Sequence, residues 1–256
     1  MTCSEIIQLQ SFIEKLGAIR LIPNSKELPE LIAQGLPEFD MEFEDVFEEG
    51  TQLFAKLHFF SNHEGKYYLL RYAAHLRYLN DPSKDKKQVF FMGEMKITLR
   101  EAFNLLQGRC VEKEITKSGE KYISWIRLNF SDIDKYGNYR YLRFRSEFRY
   151  DLDRALDFYP GIMETNEREG KAAIISSLKQ GNRELVTIIQ GSGKAVEKFI
   201  EANPKTRTLK IYDPVKVSKK ISTASSESME ENDDAIGSTF SDDEEDFTAM
   251  GSRIAV

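Results

Sequence analysis

The sequence predicts an α+β fold built mainly on antiparallel sheet, with a few packing helices and a disordered acidic C-terminal tail. Three observations point there. Short runs of large apolar and aromatic residues alternate with turns bearing Gly, Asn and Asp, the mark of strands joined as hairpins. Other stretches space their apolar residues three and four apart, as amphipathic helices do. After Val217 the composition turns abruptly to Ser and acid, and such a segment buries too little apolar surface to offset the entropy of ordering.

The elements come in this order. Residues 4–19 carry Ile6, Ile7, Leu9, Phe12, Ile13, Leu16 and Ile19 at helical spacing, with Ser4 as N-cap and Gly17 as stop. A second helix covers 26–34 and ends at Gly35 and Pro37. The acidic stretch 38–49, with Met and Phe interleaved, reads as a loop or a solvated helix face; the sharper alternative is a partner-docking segment. TQLFAKLHFF (51–60) reads as a strand and the run 66–79 as a returning strand or a helix. Its opening Tyr-Tyr-Leu-Leu favours a strand, and so a hairpin across SNHEG, where Gly65 supplies a positive φ. A polar linker (81–87) leads to a short strand at 88–93.

Thr98 and Glu101 form a capping box for a helix over 99–106, stopped by Gly108. Strands succeed it at 110–116, 121–130 and 139–150, then a short helix at 151–159 and a helix at 167–181. A hairpin of 183–190 and 194–202 turns at Gly191-Ser192-Gly193, and 208–213 is the last strand. The expected organisation is a helical arm (1–50), a hairpin region (51–84), an α+β domain (85–213) and the acidic tail (214–256), with a sheet shared between 1–84 and 85–213 left open.

Charge is segregated along the chain. The net −6 divides into −5 over 1–94, +8 over 95–220 and −9 over 221–256. A basic middle between acidic flanks suits a polyanion-facing surface or an internal charge balance. Cys3 and Cys110 are too few and too far apart for a disulfide framework, so a reducing cytoplasm is expected. The first residues have no basic, apolar leader pattern. No apolar run reaches the roughly 18 residues of a membrane span.

EAFNLLQGR (101–109), GEKYISWIRLNF (119–130), GNYRYLRF (137–144), SLKQGNR (177–183) and EANPKT (201–206) occur in that order. Over about 85–213, and less clearly 51–84, the chain resembles an uncharacterised domain family of Bacteroidetes mobilisable and conjugative elements. Members often neighbour or are fused to DNA-processing modules. The resemblance implies a mobile-element setting and carries no catalytic residues.

No catalytic constellation emerges from the residues, and no cofactor or metal is expected. His58, His63 and His75 cluster within eighteen residues and, with Glu64, make a weak metal set; satisfied or solvent-facing histidines account for them better. Asp132/Asp134 and Asp151/Asp153 fit a metal-dependent nuclease, but loop and helix N-terminal roles explain them better.

The binding candidate is a strand face. Side chains alternate along a strand, so the odd positions of 139–150 are cationic and aromatic. If 121–130 and 139–150 pair with their odd faces aligned, Trp125, Arg127, Tyr139, Tyr141, Arg143 and Arg145 share one surface for stacked bases and phosphates. The competing reading makes Trp125 core. A second candidate is the tail, where Phe240, Asp242, Asp243, Glu244, Glu245, Asp246 and Phe247 combine aromatics and acids for docking on a basic partner. The function expected is a non-enzymatic accessory protein of a mobile element that binds nucleic acid, with a protein-interaction or structural module as the alternative and a metal-dependent nuclease as the second alternative.

Overall fold

In a computed structural model of the chain, residues 3–18, 27–93, 95–117, 119–145 and 150–214 are described. The chain opens with α1 (Cys3–Leu16) and α2 (Glu27–Ala33). A four-stranded antiparallel meander comes next: β1 (Glu38–Asp45), β2 (Thr51–Ser61), β3 (Tyr67–Tyr78) and β4 (Lys86–Phe91). Then come α3 (Leu99–Leu106) and a three-stranded sheet of β5 (Val111–Lys117), β6 (Glu120–Ile133) and β7 (Tyr139–Arg145). The helices α4 (Leu152–Asp157) and α5 (Arg168–Lys179) precede a last three-stranded sheet, ordered β10 (Thr208–Tyr212), β9 (Ala195–Asn203), β8 (Glu184–Ile189). The fold class is therefore α+β, dominated by antiparallel sheet. The described residues fall within one compact unit, Met1–Val215.

The acidic stretch 38–49 departs from its expected loop or helix. It holds β1, whose Phe39, Met41 and Phe43 turn inward while the acids between them face out. Its register sets Phe39 beside Phe59, with stacked rings 5.0 Å apart, and Met41 beside Leu57. Period-two alternation overrides the acid content because the inward side chains alone decide what is buried. The expected arm therefore ends in a strand. β4, from the expected 85–213 domain, completes the same sheet, so that boundary runs through a sheet.

Two cores organise the rest. The first lies among α1, α2, α3, the inner face of β1–β4 and one face of β5–β7; it includes Ile13, Leu28, Leu57, Tyr72, Phe90, Phe103, Ile126 and Leu128. The second lies between the opposite face of β5–β7, α4, α5 and β8–β10, and includes Trp125, Leu156, Leu178, Val186 and Ile200. The middle sheet is thus covered on both faces along its central residues, while Ile123 and Ile133 toward the ends of β6 stay exposed.

Local chemistry fixes the joints. Thr98 Oγ1 accepts from Glu101 N–H, and the Glu101 carboxylate accepts from Thr98 N–H at 2.8 Å, which completes the capping box. The same carboxylate takes Lys113 Nζ at 2.9 Å, so the cap also fastens β5. Along β4, Gln88 accepts from Tyr139 N–H at 2.8 Å and Val89 N–H donates to Asn138 Oδ1 at 2.8 Å. That edge is closed by the β6–β7 turn. Gly65 turns the β2–β3 hairpin at φ +73° as expected. The Ser4 side chain, residues 146–149 and the tail beyond Pro214 lie outside the described residues.

Candidate functional site

The predicted Trp125 surface is not formed as one face. β6 pairs Trp125 with Phe144, Arg127 with Leu142, Ile126 with Arg143 and Leu128 with Tyr141. Odd positions of β6 therefore stand beside even positions of β7. Trp125 and Arg127 point one way; Tyr139, Tyr141 and Arg143 point the other. Trp125 is only 4% exposed, packed edge-on against Tyr150 at 5.2 Å in the second core. Tyr139 and Tyr141 pack against the first core, and burial pushes the Tyr141 hydroxyl pKa well up. Arg143 donates to Tyr122 Oη at 3.3 Å on that side. The Arg145 side chain lies outside the described residues, as do Phe240, Asp242, Asp243, Glu244, Glu245, Asp246 and Phe247. The physical reason is the irregular β6–β7 connection: the register shifts by an odd number of residues between Asn129 and Ile133, which sets odd positions of β6 beside even positions of β7.

The other sequence candidates resolve into structural roles. Asp132 pairs with Arg140 at 3.3 Å, and Asp134 caps its own turn by accepting from Tyr136 and Asn138 N–H. Asp151 is the N-cap of α4, and Asp153 pairs with Lys171 at 2.9 Å. His58 lies 2.8 Å from Asp40, and His75 lies 3.2 Å from Asp85. Among the described residues no group of three His, Cys, Asp or Glu is placed to hold a metal ion. Cys110 is buried, and that burial pushes its thiol pKa up to about 11, away from the reactive thiolate.

What sequence reasoning missed is the outer face of β1–β4. The register lines up four rows across it: Glu38–Phe60–Tyr68, Asp40–His58–Arg71–Phe91, Glu42–Lys56–Ala73–Val89 and Glu44–Phe54–His75–Lys87. Gln52 and Arg77 make a further pair. Phe91 is 53% exposed and Tyr68 40% exposed. Phe60 and Tyr68 lie 5.8 Å apart ring to ring, and the Arg77 guanidinium sits 4.4 Å over Phe54. A bulge between His58 and Phe59 also leaves Leu70 of β3 facing solvent. The charges divide by column. β1 is acidic throughout, and its Asp40 takes Lys56 at 3.2 Å. Among the described residues, Arg71, Arg77 and Lys87 form no ion pair. Burial, then the Lys87 charge, lowers the pKa of His75 on this face. The signal was present in 51–60, where Phe54 and Phe60 occupy the side opposite Leu53, Leu57 and Phe59. A strand with aromatics on both sides faces either two cores or one core and a partner.

A buried polar network was also missed, and it joins three of the phrases that carried the resemblance. Arg109, 4% exposed, reaches both oxygens of Glu48 through Nη2 at 2.6 and 2.7 Å and Asn104 through Nη1 at 2.9 Å. Its Nε lies 3.4 Å from Glu201, near enough for charge attraction but without hydrogen-bond geometry. Glu201 takes Arg183 at 2.7 and 2.8 Å and the Tyr212 hydroxyl at 3.1 Å. Asn104 donates to Gln180 O and Asn182 Oδ1, each at 2.8 Å. Gly181 is required there: its φ is +81°, and a Cβ would stand 2.9 Å from Cys110 O. Two cations and two anions balance, so the network clamps the cores together instead of presenting charge.

No described helix is long and apolar enough to cross a membrane. No family model, no curated protein and no solved structure matches the chain.

Proposed function

We propose that this chain is a non-enzymatic accessory protein that binds nucleic acid on the outer face of β1–β4. One observation carries the reading: Tyr68 and Phe91 are exposed on the same sheet face as Arg71, Arg77 and Lys87, which form no ion pairs among the described residues. Aromatic rings on a sheet give bases a stacking surface worth ~1–3 kcal/mol per base, and the interleaved cations meet phosphates with a strong salt dependence. The mobile-element setting rests on the ordered sequence phrases alone. A protein-interaction role is the second reading, favoured by the outward acids of β1 at the sheet edge.

Fluorescence anisotropy with labelled DNA and RNA, at low and at moderate salt, tests the first reading. Binding that weakens with salt, and about tenfold further in Tyr68→Ala/Phe91→Ala, is the expected result. Absence of binding by the unaltered protein at low salt overturns it.

A further inference from the structure

Resting on the reading above, we infer that the ligand class is single-stranded nucleic acid, and that the acidic column of β1 is the element that rejects duplex. The columns carry the argument. Glu38, Asp40, Glu42 and Glu44 all face outward from β1. The outward side chains of β3 and β4 include Tyr68, Arg71, His75, Arg77, Lys87 and Phe91. β1 and β3 are separated by β2, so their columns stand about 10 Å apart at ordinary strand spacing.

A single strand fits one side of this face. Its phosphates track the cations of β3 and β4, and its unstacked bases meet Tyr68 and Phe91. A duplex fails on two counts. Its bases are already stacked on one another and offer no free ring face to the aromatics. Its second backbone, across a groove about 6 or 12 Å wide, has to lie to one side of the first. On the β4 side the sheet is closed by Asn138 of the β6–β7 turn and Tyr139 at the start of β7. On the β1 side it meets the carboxylates. Lys56 and His58 engage Asp40, and His58 also reaches Glu38 at 3.4 Å. Glu44 is held by Gln52, which brings no charge. Glu42 has no partner among the described residues. The lower half of the column therefore keeps its negative charge against an approaching phosphate.

The test compares a short labelled single strand with a hairpin duplex of the same composition. It uses the full chain, Glu42→Lys/Glu44→Lys and the milder Glu42→Gln/Glu44→Gln. Glu167→Lys/Glu169→Lys, at the exposed start of α5, controls for added charge. The unaltered protein is expected to prefer the single strand about tenfold, and the lysine variant to gain about tenfold on duplex. The glutamine variant should gain less, and the α5 variant little. Equal affinity of the unaltered protein for both forms, or an equal gain from the α5 variant, overturns the inference and leaves nucleic-acid binding standing. No gain on duplex in either β1 variant, each with an unchanged circular dichroism spectrum, does the same. Failure of the unaltered protein to bind either form removes both the inference and the function it rests on.

Discussion

The two larger sheets use the same side-chain types to opposite ends. In β5–β7 the aromatics and arginines look, from their order alone, like a binding face, yet both faces of that sheet are covered: one by the first core, the other by α4, α5 and β8–β10. In β1–β4 the inner face takes all the packing, and Phe54, Phe60, Tyr68 and Phe91 remain on the outer side. The difference lies in the elements that come after each sheet along the chain. β7 is succeeded by helices and a further sheet that need an apolar surface to cover, whereas β4 leads into α3, which packs on the inner side. An aromatic strand face is open only when nothing downstream has to be buried against it.

Substitutions in the two sheets should therefore differ in what they cost. The largest effect is expected where the two cores meet. Arg109→Ala leaves Glu48 and Glu201 short of a buried cation and should cost about 4 kcal/mol in urea denaturation. Trp125→Ala, in the doubly covered sheet, should cost about 3 kcal/mol and leave nucleic-acid affinity unchanged. In the unaltered protein, Trp125 emission should be blue-shifted and indifferent to added nucleic acid; quenching by ligand would return this residue to a binding face.

Thr98→Ala removes one half of the capping box on α3, which serves both sheets, for about 1 kcal/mol in the same denaturation measurement. Phe91→Ala, on the open face, should change stability by less than about 0.5 kcal/mol while weakening binding. A stability loss as large as that of Trp125→Ala would mean the outer face is packed after all. The smallest effect concerns pH. Burial and Lys87 hold the His75 pKa below its ordinary value, so the native state binds fewer protons than the unfolded chain. Stability is then full above the ordinary histidine range and declines as pH falls from about 7 to about 5. His75→Gln should flatten that decline in thermal melts.

Much of this architecture was legible in the sequence. The capping box at Thr98, the hairpin turn at Gly65 and the end of α5 before Gly181 each depend on local chemistry, and each lies where the local pattern put it. β1 was legible too, in the alternation of Phe39, Met41 and Phe43, but its acid content argued for a solvated segment. The pairing of β6 with β7 was not legible. An irregular connection between Asn129 and Ile133 sets β6 forward against β7 by an odd number of residues, and any odd shift exchanges the faces of a strand. The outer face of β1–β4 was hidden for a related reason: whether Phe54 and Phe60 are core or surface depends on how many layers the chain later supplies. The Arg109 network ties Glu48, in the β1–β2 turn, to Glu201, on the central strand of the last sheet, and its members carry no common local signature.

That network has a consequence for how the sequence is free to vary. Arg109, Asn104 and Arg183 answer to Glu48, Glu201 and Asn182 through contacts that leave little slack. Loss of one charge strands another in a dry interior, so a change in any one phrase is tolerated only with a matching change elsewhere. Related chains should therefore keep or exchange these residues as a set, and the β1–β2 turn that carries Glu48 should drift together with the distant strand that carries Glu201.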